Sequence, residues 1–234
     1  MKSLPVSNGL SLLAALLCCL PSWCATGEKA WLFEQKHQIF GPCNNYVSKA
    51  FFRGDNLREG TVFVHRVDEP HFYCFNKAKK VYYRGDGKSA AKRISLMAIM
   101  DKNSGEGLNW SNAKWRLVGK EKVAGMITNK YVFKGGKTWM VWVAELPGVD
   151  RSIYKDFLEW ISAPYIGGMP VRIVVATNSK NRVTTLDTTA IKTVVIDSAT
   201  MTIPKGSRRI DNLFQLSSNR TEQLMESFSE ILGD

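Results

Sequence analysis

Residues 138 to 146 run Thr-Trp-Met-Val-Trp-Val-Ala-Glu-Leu, and this stretch restricts the fold more than any other part of the chain. Successive side chains of an extended strand point to opposite sides, so Trp139, Val141 and Val143 face one way while Met140, Trp142 and Ala144 face the other. Both sides are apolar. Water does not solvate such a strand well on either face, so it belongs in a sheet that is covered on both sides. Immediately before it, Gly135-Gly136 separates this segment from the β-rich run Asn129 to Phe133, which predicts a tight hairpin.

The same grammar recurs upstream. Tyr46 to Arg53, Thr61 to Arg66, His71 to Phe75 and Lys80 to Arg84 read as consecutive strands, divided by Gly54-Asp55-Asn56, Asp68-Glu69-Pro70 and Asn76-Lys77. Connections this short join antiparallel neighbours, which makes a meander. Beyond the hairpin, Val171 to Ala176 predicts one strand and Thr184 to Ile203 two more, with Ile203-Pro204-Lys205-Gly206 stopping the sheet. Helical periodicity is confined to a modest amphipathic segment over 89–100, a short one over 154–161 and a clear one over 219–232. In the last, Asn219 is placed as N-cap with Glu222 three residues on, and Leu224, Phe228 and Ile231 lie on one apolar stripe.

The N-terminus gives an address. Lys2 is the one charged side chain before Glu28, an apolar run covers 10–20, and Pro21 with Ser22 and Cys24 suits a signal peptidase site. The run falls short of the roughly 20 apolar residues a bilayer span needs. Residues 1–25 therefore read as a cleaved signal peptide and 26–234 as a single β-rich domain, periplasmic or secreted; a lipid anchor on Cys24 or Cys19 is the alternative. Cleavage leaves Cys43 and Cys74, an even pair that an oxidising compartment would join as a disulfide, two buried free thiols being the other outcome. Losing Lys2 takes the formal charge from +11 to +10, which favours anionic partners. Its basic residues are spread along the chain with small clusters at Lys77, Lys79 and Lys80 and at Arg208 and Arg209, so nucleic acid is not expected as a partner.

Motifs of chemistry are thin. Gly135-Gly136-Lys137-Thr138 imitates the end of a phosphate loop, but the position of the first glycine holds Tyr131 and a strand follows where a helix is required. Histidine occurs only at positions 37, 65 and 71, with no nucleophile elbow or zinc-protease helix around them. His65, Asp68 and His71 straddle a turn near Cys74, yet alternation sends His71 and Cys74 to opposite faces, which is poor geometry for a metal. Two Arg-Gly-Asp tripeptides, 53–55 and 84–86, sit at strand ends and read as turn chemistry. No catalytic residue, metal or cofactor is assigned, and an enzyme is not expected. What stands out is aromatic: Trp110, Trp115, Trp139, Trp142 and Trp160 crowd the second half, either as ordinary core or as the lining of an apolar groove.

In order, several stretches resemble the exported proteins related to the Lol-system outer-membrane lipoprotein carriers. They are Tyr46-Val47-Ser48-Lys49 with Arg53, the aromatic and lysine-bearing segment 71–83, Trp115 to Gly119 with Glu121 and Ala124-Gly125, and the closing Ile203-Pro204-Lys205-Gly206. The resemblance implies an α+β, mainly antiparallel β fold: a strongly curved, open half-barrel sheet with helices across its concave side, here followed by the C-terminal helix. It also implies an apolar cavity for acyl chains, with Phe133, Trp139, Met140 and Trp142 as candidate lining. The expectation is a binding or carrier protein for a lipid-like or acylated ligand, such as a lipoprotein. The alternative is a non-enzymatic module of an envelope complex, contacting a protein partner through Leu224, Phe228 and Ile231 of the C-terminal helix.

Overall fold

The computed structural model describes residues 27–38, 40–86, 113–135, 137–160, 163–176, 181–211 and 213–216. Twelve strands account for most of them: β1 (Gly27–His37), β2 (Gly41–Val47), β3 (Phe51–Asn56), β4 (Thr61–Arg66), β5 (His71–Asn76), β6 (Val81–Asp86), β7 (Arg116–Val123), β8 (Met126–Lys134), β9 (Thr138–Ala144), β10 (Met169–Ala176), β11 (Arg182–Asp197) and β12 (Arg208–Ile210). They form one open sheet in the order β12-β6-β5-β4-β3-β2-β1-β11-β10-β9-β8-β7. Every pairing is antiparallel except that of β12 with β6. Hairpins explain most of this order, because short turns return the chain beside itself. Long-range pairings are that of β12 with β6 and that of β1 with β11, which fuses the two meanders into one sheet.

The expected fold class is corrected here. Among the described residues the one α-helix is α1 (Lys155–Trp160), six residues long, accompanied by 3-10 turns at Arg151–Tyr154, Ser198–Met201 and Leu213–Leu216. The described residues thus form an almost wholly antiparallel sheet, without the helices expected across a concave side. Of segment 154–161 the helix keeps six residues, under two turns, and Pro147-Gly148 upstream breaks any longer run. The periodic segments 89–100 and 219–232, with Leu224, Phe228 and Ile231, lie outside the described residues, as do residues 1–26.

Two strands were misread for local reasons. Tyr46 to Arg53 is two strands joined by a turn, because the Ser48 hydroxyl accepts from the amides of Ala50 and Phe51 at 3.1 and 3.0 Å and folds the backbone back on itself. Conversely, 184–203 does not divide into two strands: β11 is continuous over sixteen residues and takes up its irregularities as bulges opposite Glu34/Gln35 and Ile173/Val174.

Register fixes two faces across the whole sheet. Trp139 shares its side with Val141, Tyr131, Ile173, Leu186, His37, Phe33 and Phe63, whereas Met140 and Trp142 share theirs with Lys130, Arg172, Arg53 and Phe51. As expected for a strand apolar on both sides, β9 is buried from Val141 through Ala144. On the Trp139 face the rings of Phe52 and Phe63 from β3 and β4 meet Phe157 of α1 at 4.4 and 5.4 Å, and Phe72 of β5 stacks on Phe63. The opposite face carries a second cluster of Ala30, Phe51, Val62, Val64, Phe75 and Met201. Met201 comes from the segment after β11, which must cross seven strand intervals, about 34 Å, to bring Arg208 beside Val81. Asp197 starts that crossing by accepting from the Ala199 amide at 2.8 Å.

Candidate apolar site on the Trp139 face

Between the phenylalanine cluster and the second half of the sheet, the Trp139 face carries a buried polar belt. Gln35 on β1 donates to Thr188 Oγ1 at 2.8 Å and to the Pro170 carbonyl at 3.1 Å, and accepts from Asn45 Nδ2 at 2.7 Å. Thr188 in turn donates to the Val171 carbonyl at 2.6 Å. The belt ties β2, β1, β11 and β10 together at the bulge, satisfying Gln35, Thr188 and the Asn45 amide nitrogen, groups that would otherwise be costly to bury.

On either side of the belt the same face carries exposed apolar side chains. Leu117, Ile127, Val183 and Val195 of β7, β8 and β11 all point to this side by register and alternation, with Val183 and Val195 about 40 Å apart on β11 and Thr188 of the belt between them. Ile127 is 71% and Val195 69% exposed. On the Val183 side of the belt lie half-buried Tyr131, Phe133 and Val175, with Trp115 tilted against Phe133 at 5.6 Å, and on the Val195 side half-buried Trp31 and Ile191. A single exposed leucine needs no explanation, but apolar side chains gathered on one face from separate strands mark a surface able to take an apolar guest.

The four lining residues expected from the sequence divide between the faces. Phe133 and Trp139 pair directly across β8 and β9 on the apolar face, whereas Met140 and Trp142 point to the other side. There Trp142 is held by charge: its Nε1 donates to Glu121 at 2.7 Å, the Lys130 ammonium lies 4.7 Å from its ring, and Arg172 lies 5.8 Å away on β10. Lys130 also pairs with Glu121 at 2.6 Å, and Arg172 with Asp187 at 2.7 Å. Donors from Lys130 first and Trp142 second hold the Glu121 carboxyl below its ordinary range. Sequence reasoning missed Trp31, Tyr131, Val183, Ile191 and Val195. Their signal was the alternation within 27–37 and 182–197, which becomes meaningful once β1 and β11 are known to pair.

The disulfide expectation is also corrected. Cys43 on β2 and Cys74 on β5 are free thiols on strands three intervals apart, about 14 Å at the usual strand spacing, well beyond the roughly 7 Å limit between Cα atoms for a bridge. Burial pushes the Cys43 thiol up to about 12 and that of Cys74 higher still, so neither is a nucleophile at neutral pH. Native protein treated with a thiol reagent at neutral pH is expected to react slowly, and denatured protein to release both thiols. A native protein giving no thiol signal even after unfolding would show that the two are bonded after all.

The remaining motifs resolve structurally. His65 and His71 point to opposite faces, and no group of three metal-ligating side chains occurs among the described residues. Arg53-Gly54-Asp55 lies inside β3 and not at a turn, and its arginine is buried. Gly85 of the second tripeptide sits where any Cβ would overlap the Phe72 ring.

No family model matches the chain, and no curated protein matches it. Solved structures similar to it include an uncharacterized conserved protein from Thermus thermophilus, with a TM-score of 0.44 at 11% identity, covering 80% of this chain and 91% of that one. Another is the MucA/MucB complex of Pseudomonas aeruginosa, with a TM-score of 0.33 at 10% identity and 80% of this chain covered. There the chain spans 59% of its counterpart's length. A LolA superfamily protein from Nitrosomonas europaea is similar with a TM-score of 0.25 at 12% identity, over 75% of this chain and 90% of that one.

Proposed function

We propose that this protein is an exported binding or carrier protein whose open apolar face takes the acyl chain of a lipid or a lipidated protein. The observation that supports this reading is that exposed Leu117 and Val183 share one face, on the same side of the polar belt, with half-buried Tyr131, Phe133 and Val175. Hydrocarbon laid on that surface would remove water from both partners, worth about 25 cal/mol per Å² of apolar area. The polar belt bounds the site on one side, because an aliphatic chain cannot replace the hydrogen bonds among Gln35, Asn45 and Thr188.

Lipid extraction of the purified protein followed by mass spectrometry is the direct test, supported by titration with the fluorescent apolar probe N-phenylnaphthylamine. Leu117→Asp with Val183→Asp is expected to weaken probe binding about tenfold or more, the scale of losing one buried aliphatic side chain, while leaving the fold intact because both residues are exposed. Protein that releases no lipid and binds no probe would overturn the proposal.

A further inference from the structure

The two basic clusters that are separate in sequence meet in the fold. β12 joins β6 in parallel with Arg208 opposite Val81, and the Arg208 amide donates to the Lys80 carbonyl at 2.9 Å. The β5–β6 turn is thereby set beside the start of β12, so that Lys77, Lys79, Lys80, Lys205, Arg208 and Arg209, all exposed, crowd one corner of the sheet. Lys79 donates to the Gln215 carbonyl at 3.3 Å, while the other five enter no ion pair among the described residues. Glu59 and Asp211 are the carboxylates on the adjoining segments, against six cations.

This corner also has an apolar tip. Asn76 Nδ2 donates to the Glu59 carbonyl at 2.8 Å, binding the β5–β6 turn to the β3–β4 turn at the same end of the sheet. On that neighbouring turn Leu57 is 54% exposed, with Arg58 next to it. Six cations held together attract any dense anionic surface, and each basic side chain near a charged bilayer adds to the attraction. A polyphosphate or polysaccharide chain offers nothing to Leu57, whereas a bilayer offers headgroups to the cations and the acyl boundary to the leucine.

We infer that this corner docks the protein electrostatically on an anionic lipid bilayer. Docking there does not depend on what the Trp139 face binds, since the two surfaces share no residue. The test is cosedimentation of the protein with phosphatidylcholine vesicles with and without phosphatidylglycerol, at low and at high salt. Binding is expected to need phosphatidylglycerol and to be lost at high salt. It should weaken on the order of tenfold or more in Lys77→Glu with Lys80→Glu, and likewise in Lys205→Glu with Arg209→Glu. Lys120→Glu with Lys122→Glu, which makes the same change of charge on β7, should bind nearly as the unaltered protein does. Equal loss in all three variants would mean net charge alone is responsible, and would overturn the assignment of the corner. So would vesicle binding indifferent to phosphatidylglycerol, or capture by dextran sulfate with none by vesicles. Probe binding by the Trp139 face, measured in the same variants, reports separately on the acyl site.

Discussion

Replacing Phe63 by alanine lowers the free energy of unfolding by about 3 to 5 kcal/mol, measured as the shift of a urea denaturation midpoint. Phe63 is fully buried and lies at the middle of the aromatic cluster, stacked on Phe72 at 5.0 Å, tilted against Phe157 at 5.4 Å and edge-on to Phe52 at 5.9 Å. Removing the ring withdraws a large apolar area and leaves a hole that neighbours cannot fill, because β3, β4 and β5 are fixed by their ladders. It also removes much of what holds α1 to the sheet, a helix too short to persist without packing. Leu117→Ala is the comparison: more than half exposed, it should change stability by under about 0.5 kcal/mol. A loss of less than about 1 kcal/mol for Phe63→Ala would mean that α1 does not close over this face in solution.

Arg53→Met is expected to cost about 3 kcal/mol, even though methionine preserves much of the side-chain volume. Arg53 is 7% exposed, makes a two-pronged pair with Asp55 at 2.7 and 2.9 Å, and lies 5.9 Å from the Tyr46 ring. Its Nη1 donates to the Thr200 carbonyl on the segment that crosses from β11 toward β12. Losing the guanidinium strands the Asp55 carboxylate and frees that crossing segment, so faster hydrogen exchange at the amides of 199–202 should accompany the loss of stability. Arg53→Met with Asp55→Ala should recover part of the cost, since no charge is then left behind. If exchange at 199–202 is unchanged, the arginine does not anchor the crossing. Because the side chain is consumed in this way, the first Arg-Gly-Asp tripeptide is structural.

How far the sequence could be read depended on whether the deciding contacts were local. The β8–β9 hairpin was legible because Gly135 and its neighbours make the turn within a few residues, and Lys134 pairs with Thr138 as expected. Strands at 61–66 and 71–76 were legible for the same reason. Strand β1 was not, because a segment mixing Glu28, Lys29, Glu34 and Lys36 with Trp31 and Phe33 shows its alternation only when β11 covers one side and β2 the other. Strand β12 is three residues long and exists through its pairing with β6. The helices expected across the sheet came from the resemblance and not from a local pattern, and of the helical segments read in the sequence only 154–161 falls among the described residues, as the six-residue α1.

From the order of residues alone came the strand-rich character, the hairpins and the two apolar sides of β9, since each follows from alternation and turn chemistry within a short window. Which of the two sides of β9 would lie on the face that carries α1 and the phenylalanine cluster, the separation of Cys43 from Cys74, and the meeting of Lys77–Lys80 with Arg208 were settled only by tertiary structure. Those are matters of register and strand order between segments far apart in the chain. A shift of a single residue in such a pairing turns every side chain to the opposite face, and no local pattern carries that information.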